Sequence, residues 1–344
     1  MEIKMAITMK ELAYMAGVSR ATVDRVLNDR GGVNPETAQR INILAKSMGY
    51  KPNIAAKSLA KGMKDVKIGC IINRLGNTFF DDVIKGVMDA SEELSRFGIS
   101  VIIKDAKLNV RQQLDLIDEL IESNVNAIAI TPINDNSIIE KLNQIIESGI
   151  TVIALTADIS NVNYLAYVGC NHERSGKIAA DLVALMSNKS ANVSIIAGSL
   201  KMLGHSQRIK GFRSIINKKY PLINIIHIIE NEDDDIISYN KVSKLIQEDS
   251  SIDIMFFAGA GIKGGIRALI DNDCVNQIKI LAFDLTETNR QYLSQGIIST
   301  LLCQEPYTQG YTAIKTLSDY LLYDIKPSNS RIYTRTEIMV SESL

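Results

Sequence analysis

From residue 66 onward, short apolar runs alternate with longer stretches whose apolar positions recur at helical spacing. Residues 66–72 (VKIGCII) read as a buried strand. Residues 81–97 follow with Val83, Ile84, Val87, Met88 and Leu94 on one helical face, and Gly98 stops them. The rhythm continues with strand 100–104, helix 110–123, strand 127–131, helix 138–148, strand 151–155, a short strand at 166–168 and a helix from His172 to 187. A second half repeats it: strand 192–197, helix 206–219, strand 223–229, helix 238–248, strand 254–258, helix 264–272 and strand 278–283. A last strand is expected around 331–340. Nearly continuous apolar strands separated by amphipathic helices predict an α/β fold with doubly wound parallel sheets. Two such halves predict two lobes with a cleft between them, and ligands bind such sheets beyond the C-terminal ends of the strands.

The first 65 residues follow a different pattern. Thr8-x-x-Glu11 is a capping box opening a helix with Leu12 and Met15 as apolar positions, and Ala13 and Ala16 are small enough for close helix contact. Gly17 ends it, Val18 fills the corner, and Ser19 caps a second helix in which Val23, Val26 and Leu27 form a buried stripe. Arg20, Ala21, Thr22, Asp24 and Arg25 lie off that stripe. A short helix whose first turn presents Arg, small residues and hydroxyls suits a DNA major groove. The hairpin alone also fits an ordinary helical pair in a helical domain. A third helix starts at Asn34-Pro35, with Ile41, Leu44 and Ala45 as its core face, and a further short helical segment covers 54–60.

Charge separates the two regions. Residues 1–65 hold 11 Lys/Arg against 6 Asp/Glu, a net of +5; the remainder holds 27 against 33, a net of −6, giving −1 for the chain. A basic head on an acidic body is the pattern of a nucleic-acid module joined to something else. Cys70, Cys170, Cys274 and Cys303 are far apart, as are His172, His205 and His227, so neither a disulfide framework nor a metal site is expected, and no cofactor. With no leader-like apolar start and no run of about 20 apolar residues, a cytoplasmic protein without membrane association is expected.

The stretch AGVSRATVDRVLN, the junction Gly49-Tyr50-Lys51-Pro52-Asn53 and the segment Ala55-Ala56-Lys57-Ser58-Leu59 resemble the LacI/GalR family of transcription regulators. The resemblance implies a helix-turn-helix domain over 6–51, a hinge helix and linker over 52–63, and a two-lobed effector-binding and dimerisation domain over 64–344. The lobes would comprise about 66–168 with 305–325, and about 169–303 with 326–344. It also implies DNA contacts from Thr8, Ser19, Arg20, Ala21, Thr22, Arg25, Asn28, Asn53, Ala56 and Leu59. Leu59 would wedge into the minor groove, with Ala56 facing the same groove, and such a wedge opens a base step and bends the duplex. A plain linker helix packing on the core also fits Leu59. Asp24 departs from the family's usual Ser or Thr; a pair with Arg20 four residues earlier would fix the direction of that side chain.

Polar residues gather at the strand ends. Asn77, Phe79 and Phe80 follow the first strand, Asp105 the second and Asp158 the fourth, while Arg208, Asp284 and Gln304 occupy the second half. Carboxylates, amides and an arginine exchange paired hydrogen bonds with adjacent hydroxyls, and aromatic faces stack on sugar C–H groups. Taken singly, each also fits a helix cap or a core position. Asn77-Thr78-Phe79-Phe80, Arg208-Ile209-Lys210-Gly211-Phe212, Ala282-Phe283-Asp284 and Gln304-Glu305-Pro306-Tyr307-x-x-Gly310 resemble the ribose-binding group of periplasmic sugar-binding proteins. The resemblance implies sugar contacts for the matching Asn, both Phe, Arg, Asp and Gln. Gly259-Ala260 replaces an Asn-Asp pair common in the family, and Thr156-Ala157 replaces an Asp-Arg pair. The loop 259–265 lacks the Gly-Lys-Ser/Thr ending of a phosphate loop, and no nucleophile elbow is present.

The reading is a sugar-responsive regulator, a repressor bound as a homodimer to a palindromic operator and not an enzyme. Its alternatives are a cytoplasmic sugar-binding protein without a DNA-binding role and a sugar-active enzyme. With no heptad tail after the last strand, a tetramer through such a tail is not expected.

Overall fold

A computed structural model of the chain describes residues 7–27, 31–48, 65–74 and 77–344. It divides into two compact units, Met1–Lys64 and Asp65–Leu344. The expected helix at 54–60, and with it Asn28, Asn53, Ala56 and Leu59, lies outside the described residues.

In the first unit, α1 (Met9–Met15), α2 (Arg20–Leu27) and α3 (Pro35–Ser47) follow the capping signals. Glu11 N donates to Thr8 Oγ1 at 3.2 Å, and Thr8 N donates back to Glu11 Oε2 at 2.7 Å. Thr22 N donates to Ser19 Oγ, and Glu36 N to Asn34 Oδ1. The core joins Leu12, Ala13, Ala16, Val23, Val26, Ile41 and Ala45. Met15, expected to be apolar interior, is 49% exposed. At about 100° per residue, positions 12, 13 and 16 share one face of α1 and position 15 falls beside it.

The second unit alternates strand and helix through its first lobe as far as β4, with β5 following directly: β1 (Val66–Ile72), α4 (Phe79–Ser95), β2 (Ile99–Asp105), α5 (Val110–Glu122), β3 (Ala127–Ile130), α6 (Asn136–Glu147), β4 (Thr151–Leu155) and β5 (Ala166–Cys170). The second lobe runs α7 (His172–Met186), β6 (Ser190–Ala197), α8 (Leu203–Lys219), β7 (Leu222–Glu230), α9 (Asp235–Glu248), β8 (Ile254–Phe257), α10 (Ile262–Asp271), β9 (Lys279–Phe283), α11 (Glu287–Ser294) and β10 (Thr300–Cys303). Then come α12 (Pro306–Tyr323), β11 (Arg331–Thr334) and β12 (Glu337–Met339). The sheets have the orders β11-β5-β4-β3-β1-β2 and β12-β10-β9-β8-β6-β7. All pairings are parallel except β10 with β12.

Strands buried on both faces explain the apolar runs. In β8, Phe256 stacks on Phe212 and meets Phe283 at a tilt in one core layer, while its neighbour Phe257 points to the opposite layer with Ile266 and Leu269. Successive strand residues face opposite ways, so a run such as Met255-Phe256-Phe257 must be apolar throughout.

The lobe boundaries differ from expectation at the tail. The strand expected at 331–340 is two strands: β11 pairs with β5 in the first sheet, and only β12 joins the second. Residues 331–334 therefore leave the second lobe to which 326–344 was assigned. Each short strand covers an edge that would otherwise be open. The pattern also missed α11, whose sequence ETNRQYLS is almost wholly polar, and did not mark α12 as a helix. The chain thus crosses between lobes after β5, after β10 and between β11 and β12. The crossings are tied together: Thr334 Oγ1 and Gln309 Nε2 each donate to the Gln304 carbonyl at 2.8 Å, and Arg335 N donates to Glu305 Oε2.

Candidate functional site

Each unit presents a candidate surface. On the head, Arg20, Ala21 and Arg25 are exposed and Thr22 is half-buried, so α2 turns its apolar stripe inward and these residues outward. Thr8 and Ser19 are exposed but employed as caps; Ser19 Oγ lies 2.8 Å from Thr22 Oγ1. Tyr14, 88% exposed on α1, was not singled out from sequence, because an aromatic in an amphipathic helix reads first as core.

In the second unit, a cleft of about 240 Å³ lies among the C-terminal strand ends of both sheets. Asn77, Phe79, Phe80, Arg208, Asp284 and Gln304 all line it. Asn77 Oδ1 accepts from Phe79 N at 3.1 Å, which starts α4 and sets Phe79 and Phe80 edge to face, ring centres 5.0 Å apart.

The opposite wall is a buried relay. Arg208 is placed by the close crossing of α7 and α8: a Cβ on Gly176 would stand 1.9 Å from the Arg208 carbonyl oxygen. Its guanidinium donates from Nη1 to the Ala258 carbonyl (2.8 Å) and from Nη2 to Gln304 Oε1 (2.7 Å), and lies 3.6 Å over the Phe283 ring. Gln304 Nε2 then donates to Asp284 Oδ2 at 2.7 Å. Asp284 has φ 66°, and Asn289 Nδ2 donates to the carbonyls of both Phe283 and Asp284, holding that turn. Arg208 Nε and Asp284 Oδ1 are buried without a hydrogen-bond partner. Burial pushes the Asp284 carboxyl up to about 7, against the lowering pull of the Arg208 charge.

Two expected residues are elsewhere. Asp158 is 2% exposed and engaged by Arg331, by the Tyr164 hydroxyl (2.6 Å) and by Ile159 N (2.9 Å). Its anchor is β11, and the preceding Thr156 and Ala157 line the cleft in its place. Asp105 ends β2 facing Arg74 at 3.5 Å and is not among the lining residues. An aspartate at a strand end is a candidate, but the direction it takes depends on cations remote in sequence.

The cleft adds residues the sequence reading missed. His172 donates from Nε2 to the Thr156 carbonyl at 2.8 Å; a carbonyl only accepts, so Nε2 carries the proton. Burial, aided by the Arg208 charge, pulls its pKa down to about 3, keeping the ring neutral. His205 lies three residues before Arg208 on α8 and could have been found from that shared face. Asp233 comes from the loop after edge strand β7 and had no sequence signal.

Residues 68–323 match the family described as periplasmic binding protein domain, and residues 8–53 match the bacterial regulatory proteins of the lacI family. The chain belongs to the LacI family of regulators. This regulator is similar to catabolite control protein A of Priestia megaterium, 24% identical over 321 residues that cover 92% of this chain and 93% of the relative. It is also similar to the sucrose operon repressor of Staphylococcus xylosus, 32% identical over 137 residues, 39% of this chain and 41% of that one. In fold, the regulator's second unit is similar to a glucose-galactose binding protein from Geobacillus stearothermophilus, with a TM-score of 0.75 and 21% identity over 82% of this chain and 99% of that one. Among the regulator's described residues, no helix is long and apolar enough to cross a membrane, and no cluster of His, Cys, Asp or Glu could hold a metal ion.

Proposed function

We propose that this LacI-family regulator represses transcription as a cytoplasmic homodimer on a palindromic operator, and that a small sugar or sugar-like effector in the interlobe cleft sets its operator affinity. In this reading Arg20, Ala21 and Thr22 read base edges in the major groove. Thr8, Ser19, Arg25, Asn28 and Asn53 lie beside them on the duplex, and Leu59 and Ala56 occupy the minor groove. The protein acts by binding rather than by turnover, as a regulator of sugar use related in sequence to a sucrose operon repressor.

The observation that carries the effector half is the pair of buried, unpartnered atoms in the cleft, Arg208 Nε and Asp284 Oδ1. Such atoms are costly to leave unmet, and a sugar's adjacent hydroxyls accept from one and donate to the other. Phe79 and Phe80 supply aromatic surface for the ring's C–H face. Closure of the lobes on a ligand would move the three crossings, and Gln304 belongs to both the relay and the crossings. By linkage, ligand and operator then change each other's affinity by the same factor.

The test selects duplexes from a random pool with the full chain, then titrates the selected site by fluorescence anisotropy with and without a panel of pentoses, hexoses and polyols. Arg20→Ala combined with Leu59→Ala should weaken binding about 100-fold, since each base-directed contact contributes roughly 1–3 kcal/mol. One sugar should shift the operator affinity. Unchanged DNA binding by the double variant would leave a sugar-binding protein without a DNA-binding role, and no effect of any sugar would remove the effector half.

A further inference from the structure

We infer that the cleft takes a neutral, unphosphorylated polyhydroxy ligand, and that Asp233 is a specificity-determining residue that accepts from that ligand and keeps its phosphate esters out. The inference rests on the sugar-cleft reading above and deepens it.

Asp233 reaches the cleft from the loop after β7, over the tips of β6 and β8. It fits because a glycine follows each tip, Gly198 directly after β6 and Gly259 two residues after β8. A Cβ on Gly198 would stand 2.1 Å from Asp233 Oδ1, and one on Gly259 would stand 2.7 Å from the same atom and 2.6 Å from Gly198 N. Asp233 Oδ1 accepts from Ala260 N at 2.7 Å. Glu232 and Asp233 have φ values of 58° and 57°, a left-handed pair that L residues adopt at a cost. The loop holds this carboxylate at the cleft against its local backbone preference.

The start of α10 lines the same wall. Free amides at a helix N-terminus are what a phosphate group would use. Here the chain's own carboxylates already occupy amides in this region: Asp233 takes Ala260 N, and Asp235 Oδ1 takes Gly264 N at 3.0 Å. Three carboxylates, Asp233, Asp235 and Asp284, line the cleft together with Arg208 and Lys263. Arg208 Nη1 and Nη2 each already donate within this wall, to Ala258 and to Gln304, which leaves Nε as the nitrogen without a partner. A phosphate dianion has no proton to give the Asp233 and Asp235 carboxylates and is repelled by them, whereas a hydroxyl donates to the acceptors it meets.

The test is isothermal titration calorimetry of the full chain with D-ribose, D-glucose and D-fructose, each paired with ribose 5-phosphate, glucose 6-phosphate or fructose 6-phosphate. At least one free sugar should bind, and its ester should bind more than about tenfold more weakly. Asp233→Asn keeps an acceptor for Ala260 N and should weaken the free sugar about tenfold while narrowing the gap to the ester; Asp233→Ala should do the same more strongly. Circular dichroism confirms that the variants are folded, and the wild-type comparison of sugar with ester stands without them. An ester binding as tightly as its sugar overturns the inference while leaving the sugar reading intact. Folded Asp233 variants with wild-type affinity and selectivity overturn the role of Asp233. Binding of none of the six compounds overturns the sugar reading and the inference with it.

Discussion

Replacing Asp284 by Asn should remove a pH dependence that burial builds into the native state. Loss of hydration raises this carboxyl from 3.8 to about 7, even though Arg208 and the hydrogen bond from Gln304 pull it down. Between those two values the native state keeps a proton that the unfolded chain has released. With more protons on the native state, stability falls as pH rises through the window and levels off above about 7. From pH 5 to pH 7 the loss is roughly 1.4 kcal/mol per unit, so about 3 kcal/mol in all. Asn tolerates the φ of 66° as Asp does, keeps an acceptor for Gln304 Nε2 and does not titrate. His172 works in the opposite direction. Its pKa falls from 6.5 to about 3 on burial, so its contribution grows as pH rises between those values and masks Asp284 in the raw profile. Subtracting the two proteins cancels His172. The assay is urea unfolding followed by circular dichroism at pH 5, 6, 7 and 8. Asp284→Asn should gain about 3 kcal/mol relative to wild type between pH 5 and pH 8. A difference constant to within a few tenths of a kcal/mol across that range refutes the burial argument. The same logic applies to a bound sugar: a hydroxyl donating to Asp284 Oδ1 favours the carboxylate, so binding below pH 7 should release a proton.

Arg331→Ala leaves the buried Asp158 without its cation and should lower stability by about 1–3 kcal/mol, discounted for the 45% exposure of the arginine, with sugar affinity within twofold of wild type by calorimetry. A large loss of affinity would return Asp158 to the binding site. Arg208→Met should weaken the sugar about 10- to 100-fold, because hydrogen bonds to a charged donor contribute roughly 1.5–3 kcal/mol. Val23→Ala removes two buried methyl-sized groups from the head core and should destabilise it by roughly 2 kcal/mol, read as about 30-fold faster amide exchange in α1–α3 of the full chain. Thr8→Ala breaks the capping box and should cost about 1 kcal/mol by the same measurement, with exchange accelerated chiefly in α1.

Local physics determined most of the elements. Buried runs such as AIAI and IMFF admit only strands covered on both faces, and the caps at Thr8, Ser19 and Asn34 start helices where they stand. The head, the two lobes and six of the eight expected cleft residues were therefore legible in the chain, since strand ends and turn residues are one-dimensional signals. What each polar side chain does was decided in three dimensions. Asp158 and Ala157 are adjacent, yet one is claimed by Arg331, 173 positions away, while the other lines the cleft. Asp233 became a cleft residue because two glycines, at 198 and 259, leave room for it on the tips of two other strands. The tail split between the sheets because each lobe had an edge to cover. Periodicity records which face of its own element a residue takes; only the assembled sheets decide which distant charge, carbonyl or empty space that face meets.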